Sequence, residues 1–439
     1  MMWKLLVLGF YFLPGTGVSE AQQYRIENNK EKFSLNVENY GGIIILPVSI
    51  NGSKPLNFML DSGSPYTIIS DISVFNFFKP KEGALIKVQG LGRDRAYLDA
   101  YLSKANTIRI GKAVSNRSDI IVLLASDFDL GQRFGIPIYG VIGYDLFRDF
   151  VVEINYSKEK LKFYKPEYFY KKNRTRSYEE IPIQIKNKKA YLDTQATING
   201  QQVNLHLLLD TGSAEALWLY EKENKINVPA AYIHDYLGYG LNGDIFGKRS
   251  RIAHLNLGGR EIENPTVTFP DSLSVSGIIE DGRDGSLGAE VLKRFNTIID
   301  YRNHKLFLKK NRFFKHPFQY NLAGLELYQP YLEIPYLLVS YVRKNSPADH
   351  AGLQVGDVIQ FIDGQRVSVD KSNLESDKWY RNEDVIHLEH KPAEAWNLIS
   401  LKEAMEIFKS KPGRRVRIIY TRDENPQERT AEIILQSPI

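Results

Sequence analysis

Phe58-Met59-Leu60-Asp61-Ser62-Gly63-Ser64 and Leu207-Leu208-Leu209-Asp210-Thr211-Gly212-Ser213 are two versions of one segment. Each runs through three apolar residues, an acid, a hydroxyl residue, a glycine and a serine. Just upstream, Val48-Ser49-Ile50-Asn51-Gly52 is matched by Ala196-Thr197-Ile198-Asn199-Gly200. Asn-Gly between two apolar runs predicts a tight hairpin, so each copy reads as strand, turn, strand and polar loop.

A second pair of segments follows at nearly the same spacing. Gly140-Val141-Ile142-Gly143-Tyr144-Asp145-Leu146-Phe147 leads to Phe150–Tyr156 and Lys160–Phe163. Gly285-Ser286-Leu287-Gly288-Ala289-Glu290-Val291-Leu292 leads to Phe295–Tyr301 and Lys305–Leu308. The acids at 61 and 210 are 149 positions apart, and the glycines at 143 and 288 are 145 apart. Two blocks repeating at matched spacing point to duplication of one lobe. The first lobe is expected over 33–166 and the second over 181–310, with the basic stretch Lys171–Arg176 as linker. Between its two blocks each lobe also carries a Gly-punctuated hairpin candidate, Val88–Gly92 and Leu237–Gly243.

At 439 residues the chain exceeds a single core, consistent with two or three domains. Tyr (26) and Phe (22) are abundant, which suits strands. The net charge of +5 is spread along the chain and gives no reason to expect nucleic acid as a partner. There is no cysteine, which excludes disulfides, thiol nucleophiles and thiolate metal sites. The eight His are scattered, and His387 and His390 lack the carboxylate of a zinc motif, so no metal or cofactor is expected. Lys4, the apolar run Leu5–Leu13 and Ser19-Glu20-Ala21 predict a signal peptide over 1–21. Export without cysteine fits a bacterial periplasm or envelope, or secretion, and no later apolar run is long enough to span a bilayer.

Alone, Asp-Ser-Gly is usually a turn in which the acid caps its own backbone. Doubled, with a serine in fourth position and a following hydrophobic–hydrophobic–Gly strand, the motif resembles the aspartic proteases of the retropepsin and pepsin clan. It looks nearest to bacterial two-lobed, retropepsin-like members, over roughly residues 33–310. The resemblance implies a mainly β fold of two similar closed-barrel, double-psi-type lobes, and an endopeptidase whose catalytic acids are Asp61 and Asp210. One carboxylate and one carboxylic acid side by side can activate water and protonate the scissile amide. Two carboxyls about 3 Å apart share one proton and titrate as a unit. By the same resemblance, Ser62 and Thr211 bond across the lobe interface, and Ser64 and Ser213 bond the outer carboxylate oxygens. Gly63 and Gly212 let backbone approach the acids, while the strands ending in Gly143 and Gly288 buttress them. Ser286 stands where an apolar residue is usual. Tyr239 is the candidate flap tyrosine, with Tyr97 and Tyr236 as alternatives.

Beyond the repeat, Gly324-Leu325-Glu326-Leu327, Leu337–Val342, Asn345-Ser346-Pro347-Ala348, Gly356-Asp357-Val358-Ile359 and Ile362-Asp363-Gly364 resemble a bacterial PDZ domain over 322–439, an α+β partly open barrel. A helix is expected near Ser400–Ser410, strands at Arg415–Thr421 and Thr430–Leu435, and an insertion at Asp370–Asn397. PDZ folds add extended peptides to a sheet edge, and the resemblance puts the groove at Gly324–Leu327. The implied partners are peptide or protein substrates and a C-terminal peptide ligand, with the chain a monomer. Envelope proteases with PDZ domains include serine enzymes, but no Gly-Asp-Ser-Gly-Gly occurs, and Ser157-Lys158-Glu159-Lys160 sits in a turn between repeat strands. The alternatives to an enzyme are a catalytically silent peptide binder and an envelope scaffold.

Overall fold

The computed structural model describes residues 11–12, 23–76, 78–93, 97–124, 129–275, 282–332, 334–369, 398–422 and 425–439. The expected signal peptide, apart from Tyr11–Phe12, and the whole of the expected insertion at 370–397 lie outside them.

Asn-Gly turns start both lobes. Ile43–Ile50 and Leu56–Leu60 pair antiparallel around Asn51 (φ 49°) and Gly52 (φ 86°), and Lys189–Ile198 and Gln201–Leu209 around Asn199 (φ 51°) and Gly200 (φ 77°). Two successive positive φ values suit the right-handed strand twist, and Asn-Gly tolerates them best. Each second strand then takes a parallel neighbour from the later block. Gly140, Val141 and Ile142 align with Phe58, Met59 and Leu60, and Gly285, Ser286 and Leu287 align with Leu207, Leu208 and Leu209. The duplication read from spacing is thus a duplication of strand register.

The following glycine is required by close approach. A methyl group on Gly143 would lie 2.1 Å from the Asp61 carbonyl oxygen, and one on Gly288 2.1 Å from the Glu215 carbonyl oxygen. The parallel strand can lie against the polar loop only without a side chain there.

Strands from both lobes join in one six-stranded sheet. Its centre is the antiparallel pair Val151–Asn155 and Phe295–Asp300, in which Val152 faces Ile299 and Ile154 faces Thr297. A continuous apolar core runs beneath both lobes, including Phe58, Phe147, Leu207 and Leu292. Each such side chain withdrawn from water stabilises the fold by about 1.5–3 kcal/mol. The molecule is mainly β, as expected.

The described residues divide into two compact units: one holds both lobes, and the other holds Gln319–Pro438 together with Asp129–Pro137. In the second unit, Leu325–Tyr328, Leu337–Val342, Val358–Ile362, Arg415–Arg422 and Asn425–Ile434 pair antiparallel in that order. Helix Leu401–Ile407 starts at a capping box between Ser400 and Glu403, within the range expected. The last strand starts earlier than expected, at Asn425. Asp129–Pro137, read from sequence as part of the first lobe, belongs here instead. Its helix Leu130–Phe134 is capped by Asp129 and buries Leu130 and Phe134, and the Gln132 carbonyl accepts the Gln329 N–H at 2.9 Å.

Candidate active site

Asp61 and Asp210 leave their strands at the same point. The Asp61 N–H donates to the Ile142 carbonyl (2.9 Å) and the Asp210 N–H to the Leu287 carbonyl (3.0 Å), so the parallel strands hold both acids by the backbone. The loops interlock. The Ser62 N–H donates to Thr211 Oγ1 (2.9 Å) and the Thr211 N–H to Ser62 Oγ (3.0 Å). Each hydroxyl then donates back across the interface, Ser62 Oγ to the Leu209 carbonyl (2.7 Å) and Thr211 Oγ1 to the Leu60 carbonyl (3.0 Å).

This grid brings the carboxyls together. The Gly63 N–H donates to Asp61 Oδ1 at 2.7 Å and the Gly212 N–H to Asp210 Oδ1 at 3.0 Å. A methyl group on Gly212 would lie 2.5 Å from Asp61 Cγ, and one on Gly63 3.4 Å from Asp210 Cγ. Each loop's glycine therefore faces the other lobe's acid. Both acids are buried.

Burial holds both acids above the usual carboxylate range. For Asp61 the negative charge of Asp210 adds to it, and the Gly63 N–H pulls the other way. Asp210 is pushed up to about 6 by burial, against the Arg283 guanidinium and the N–H groups of Gly212 and Ser213. Two adjacent carboxyls raised in this way hold a proton at pH values where a solvated aspartate has lost it.

The sequence of the aspartyl protease family matches residues 46–146 and 194–291, and that of the PDZ domain matches residues 338–376. Together these matches support an aspartic protease that carries a PDZ domain. It is accordingly a hydrolase. Among solved structures, an aspartic proteinase from Irpex lacteus is similar at 14% identity, with a TM-score of 0.40, over 65% of this chain and 99% of that chain. No protein of curated function matches the chain.

One serine departs from the expected pattern in this aspartyl protease. Ser64 Oγ donates to the Tyr66 carbonyl at 2.9 Å rather than to a carboxylate, because the loop turns at Pro65 and brings that carbonyl within reach. Ser213 meets Asp210 through its backbone N–H.

Tyr301, which the motif reading missed, is buried, and its hydroxyl donates to the Ser62 carbonyl at 3.0 Å. Its ring stacks on Phe147 at 5.2 Å. The only hint in the sequence is that Tyr156 and Tyr301 end matching repeat strands.

The two Gly-rich hairpins of the protease meet at their tips. They are Gly83–Gln89 with Leu98–Ile110 in lobe one and Tyr232–Gly240 with Gly243–Arg251 in lobe two. The Gly90 N–H donates to Asn242 Oδ1 (2.6 Å), the Asn242 N–H to the Leu91 carbonyl (2.9 Å), and the Gly92 N–H to the Ser274 carbonyl (3.2 Å). Leu91 joins an apolar cluster of lobe two with Trp218, Tyr220, Leu237, Ile245 and Val275. Tyr239 lies on the second hairpin opposite Asp244; Tyr236 is buried on the same strand, and Tyr97 is exposed before Leu98.

In the PDZ unit, Gly324 (φ 72°) precedes the strand Leu325–Tyr328, whose Leu325, Glu326 and Leu327 are buried. The N–H groups of this turn are already engaged. Those of Ala323 and Gly324 donate to Asn321 Oδ1 (3.1 and 3.0 Å), and that of Leu322 to the Phe408 carbonyl (2.9 Å).

Proposed function

We propose that the protein is an aspartic endopeptidase in which Asp61 and Asp210 share one proton and activate a water molecule. The observation that carries this reading is the crossed geometry of the loops, with the Gly212 backbone against the Asp61 carboxyl and Ser62 interlocked with Thr211. In the reaction the ionised carboxyl takes a proton from water as its oxygen attacks the scissile carbonyl. The protonated carboxyl gives its proton to the carbonyl oxygen, and collapse of the tetrahedral intermediate passes a proton to the departing amine. The mutual influence of the two buried carboxyls, with the Asp210 charge raising Asp61, supports a shared proton.

The PDZ unit then delivers substrate. The turn before Leu325 receives a peptide's terminal carboxylate in place of Asn321 Oδ1, and the peptide lies along Leu325–Tyr328. Cleavage after Ala21 and export to a bacterial envelope complete the reading, supported by the charge and apolar run at 4–13; N-terminal sequencing of the mature protein checks it.

Incubating the mature protein with an unbiased peptide library across pH, with and without a pepstatin-like inhibitor, tests the enzymatic claim. Internal cleavage blocked by the inhibitor is expected. No cleavage at any pH leaves the peptide-binding alternative.

A further inference from the structure

A cavity of about 740 Å³ lies at the junction of the two lobes. None of its described lining residues belongs to the acid loops or to either Gly-rich hairpin. Four pieces of chain form its walls: the segment at 23–29, helix Tyr144–Asp149, the start of helix Pro166–Phe169, and the turn at 301–304. The first of these is fastened down. The Tyr24 N–H donates to Asp149 Oδ2 (2.8 Å), and Ile26 pairs with Ala113. Small-molecule pockets run to about 300–1,000 Å³, so the space suits a ligand of two or three residues.

The charges around it do not balance. Arg25, Arg148, Lys165 and Arg302 line the cavity with only Asp149 and Glu167 against them. Arg148 spends its fork on Asp149 (Nε to Oδ1 2.7 Å, Nη2 to Oδ2 2.8 Å), and Arg302 pairs with Glu167. Lys165 leans at 3.6 Å on Glu31, which does not line the cavity. Arg25 is exposed, and among the described residues its guanidinium has no hydrogen bond or ion pair. A carboxylate at the mouth would supply the missing partner in charge-assisted form. Ile26, Phe150 and Ile185 offer apolar surface to a side chain, and the amides of Gln23 and Asn29 offer partners to peptide groups.

Two wall residues also hold the loop that presents Asp61. The Tyr301 hydroxyl donates to the Ser62 carbonyl (3.0 Å), and the Tyr144 N–H donates to the Ser64 carbonyl (3.1 Å). A ligand that fits the cavity in this shape therefore favours the interlocked loop, and any such coupling is reciprocal.

We propose that this cavity is an effector site for short peptides with a free C-terminal carboxylate, the class of product that peptide cleavage releases. Its occupant steadies the Asp61 loop from behind. The effect on catalysis rests on the dyad reading above; the binding site does not.

The test is calorimetry of the mature protein with N-acetyl-leucyl-phenylalanine and its C-terminal amide. A Kd of about 10–100 µM is expected for the acid, and binding at least about tenfold weaker for the amide. Arg25→Gln should weaken binding of the acid about tenfold, and Ile185→Trp, which fills the cavity, should abolish it. No binding by the parent below about 1 mM overturns the proposal. So does binding that survives both substitutions, because it then belongs to another site, such as the PDZ seat. If Ile185→Trp does not fold, Arg25→Gln decides alone, since its position is exposed. For the coupling, the acid should tighten a pepstatin-like inhibitor at least about fivefold, the inhibitor should tighten the acid by the same factor, and Tyr301→Phe should reduce both. Binding of the acid that leaves the inhibitor's affinity unchanged overturns the effector role. If the inhibitor does not bind at all, the dyad reading fails, while binding of the acid that Arg25→Gln weakens still upholds the site.

Discussion

The Gly212 α-carbon faces the Asp61 carboxyl so closely that a methyl group there would lie 2.5 Å from Asp61 Cγ. Neither backbone nor carboxyl can yield without breaking the Ser62–Thr211 grid. Gly212→Ala is therefore expected to lower kcat by at least about a hundredfold, the scale of a small misplacement at a reacting centre. Steady-state kinetics with a folded variant checks it, and near-normal kcat would show that the two loops are not held as described.

The raised acids set a pH dependence for activity. With Asp210 pushed up to about 6 and Asp61 also raised, kcat/KM should climb on its acid limb near pH 6 and fall at higher pH as the shared proton is lost. An acid limb near pH 4 would mean that the pair is better solvated than its burial indicates.

The same shift has a consequence for stability. A carboxyl whose folded pKa is raised binds its proton more tightly in the folded chain, so its contribution is complete below the unfolded value near pH 4 and is lost as pH rises through the folded value. Asp61→Asn removes that loss. Its melting temperature should exceed that of the parent at pH 8, with the gap closing towards pH 4. A gap that widens towards acid would reverse the sign of the shift.

Two supporting hydroxyls should behave in opposite ways. Tyr301→Phe deletes a buried bond to the Ser62 carbonyl and should cost about 1 kcal/mol of stability. Ser286 Oγ is buried without a hydrogen bond, opposite Trp218, so Ser286→Ala should hold or raise stability by about 1 kcal/mol with activity retained. Denaturant titration measures both.

The proposed carboxylate seat of the PDZ unit can be tested at Asn321. Asn321→Ala frees the Ala323 and Gly324 N–H groups and should cost about 1–3 kcal/mol of stability. It should also strengthen binding of peptides with a free C-terminal carboxylate, but not of their amidated forms, in calorimetry. Equal affinity for both forms would argue against a carboxylate seat in that turn.

What the sequence disclosed and what it hid separate by distance along the chain. The Asn51-Gly52 and Asn199-Gly200 turns, the two acid loops and the capped helix after Ser400 are local chemistry, and all could be read directly. The bond from Tyr301 to Ser62 spans 239 residues, so nothing in either neighbourhood announces the other. Ser64 was misread because its partner depends on how the loop bends at Pro65, which the residue types do not specify. Helix Leu130–Phe134 is too short to carry a periodic signal, so its place with the C-terminal unit emerged only from its packing.

The central claim is that Asp61 and Asp210 act as one catalytic pair. Its most direct test is cleavage of a library-selected peptide by the parent and by Asp61→Asn and Asp210→Asn, each shown to be folded by its melting curve. The account predicts that either substitution alone lowers kcat by at least about a thousandfold, within the range of lost acid–base catalysis. Cleavage at near-parent rates by either variant would contradict it.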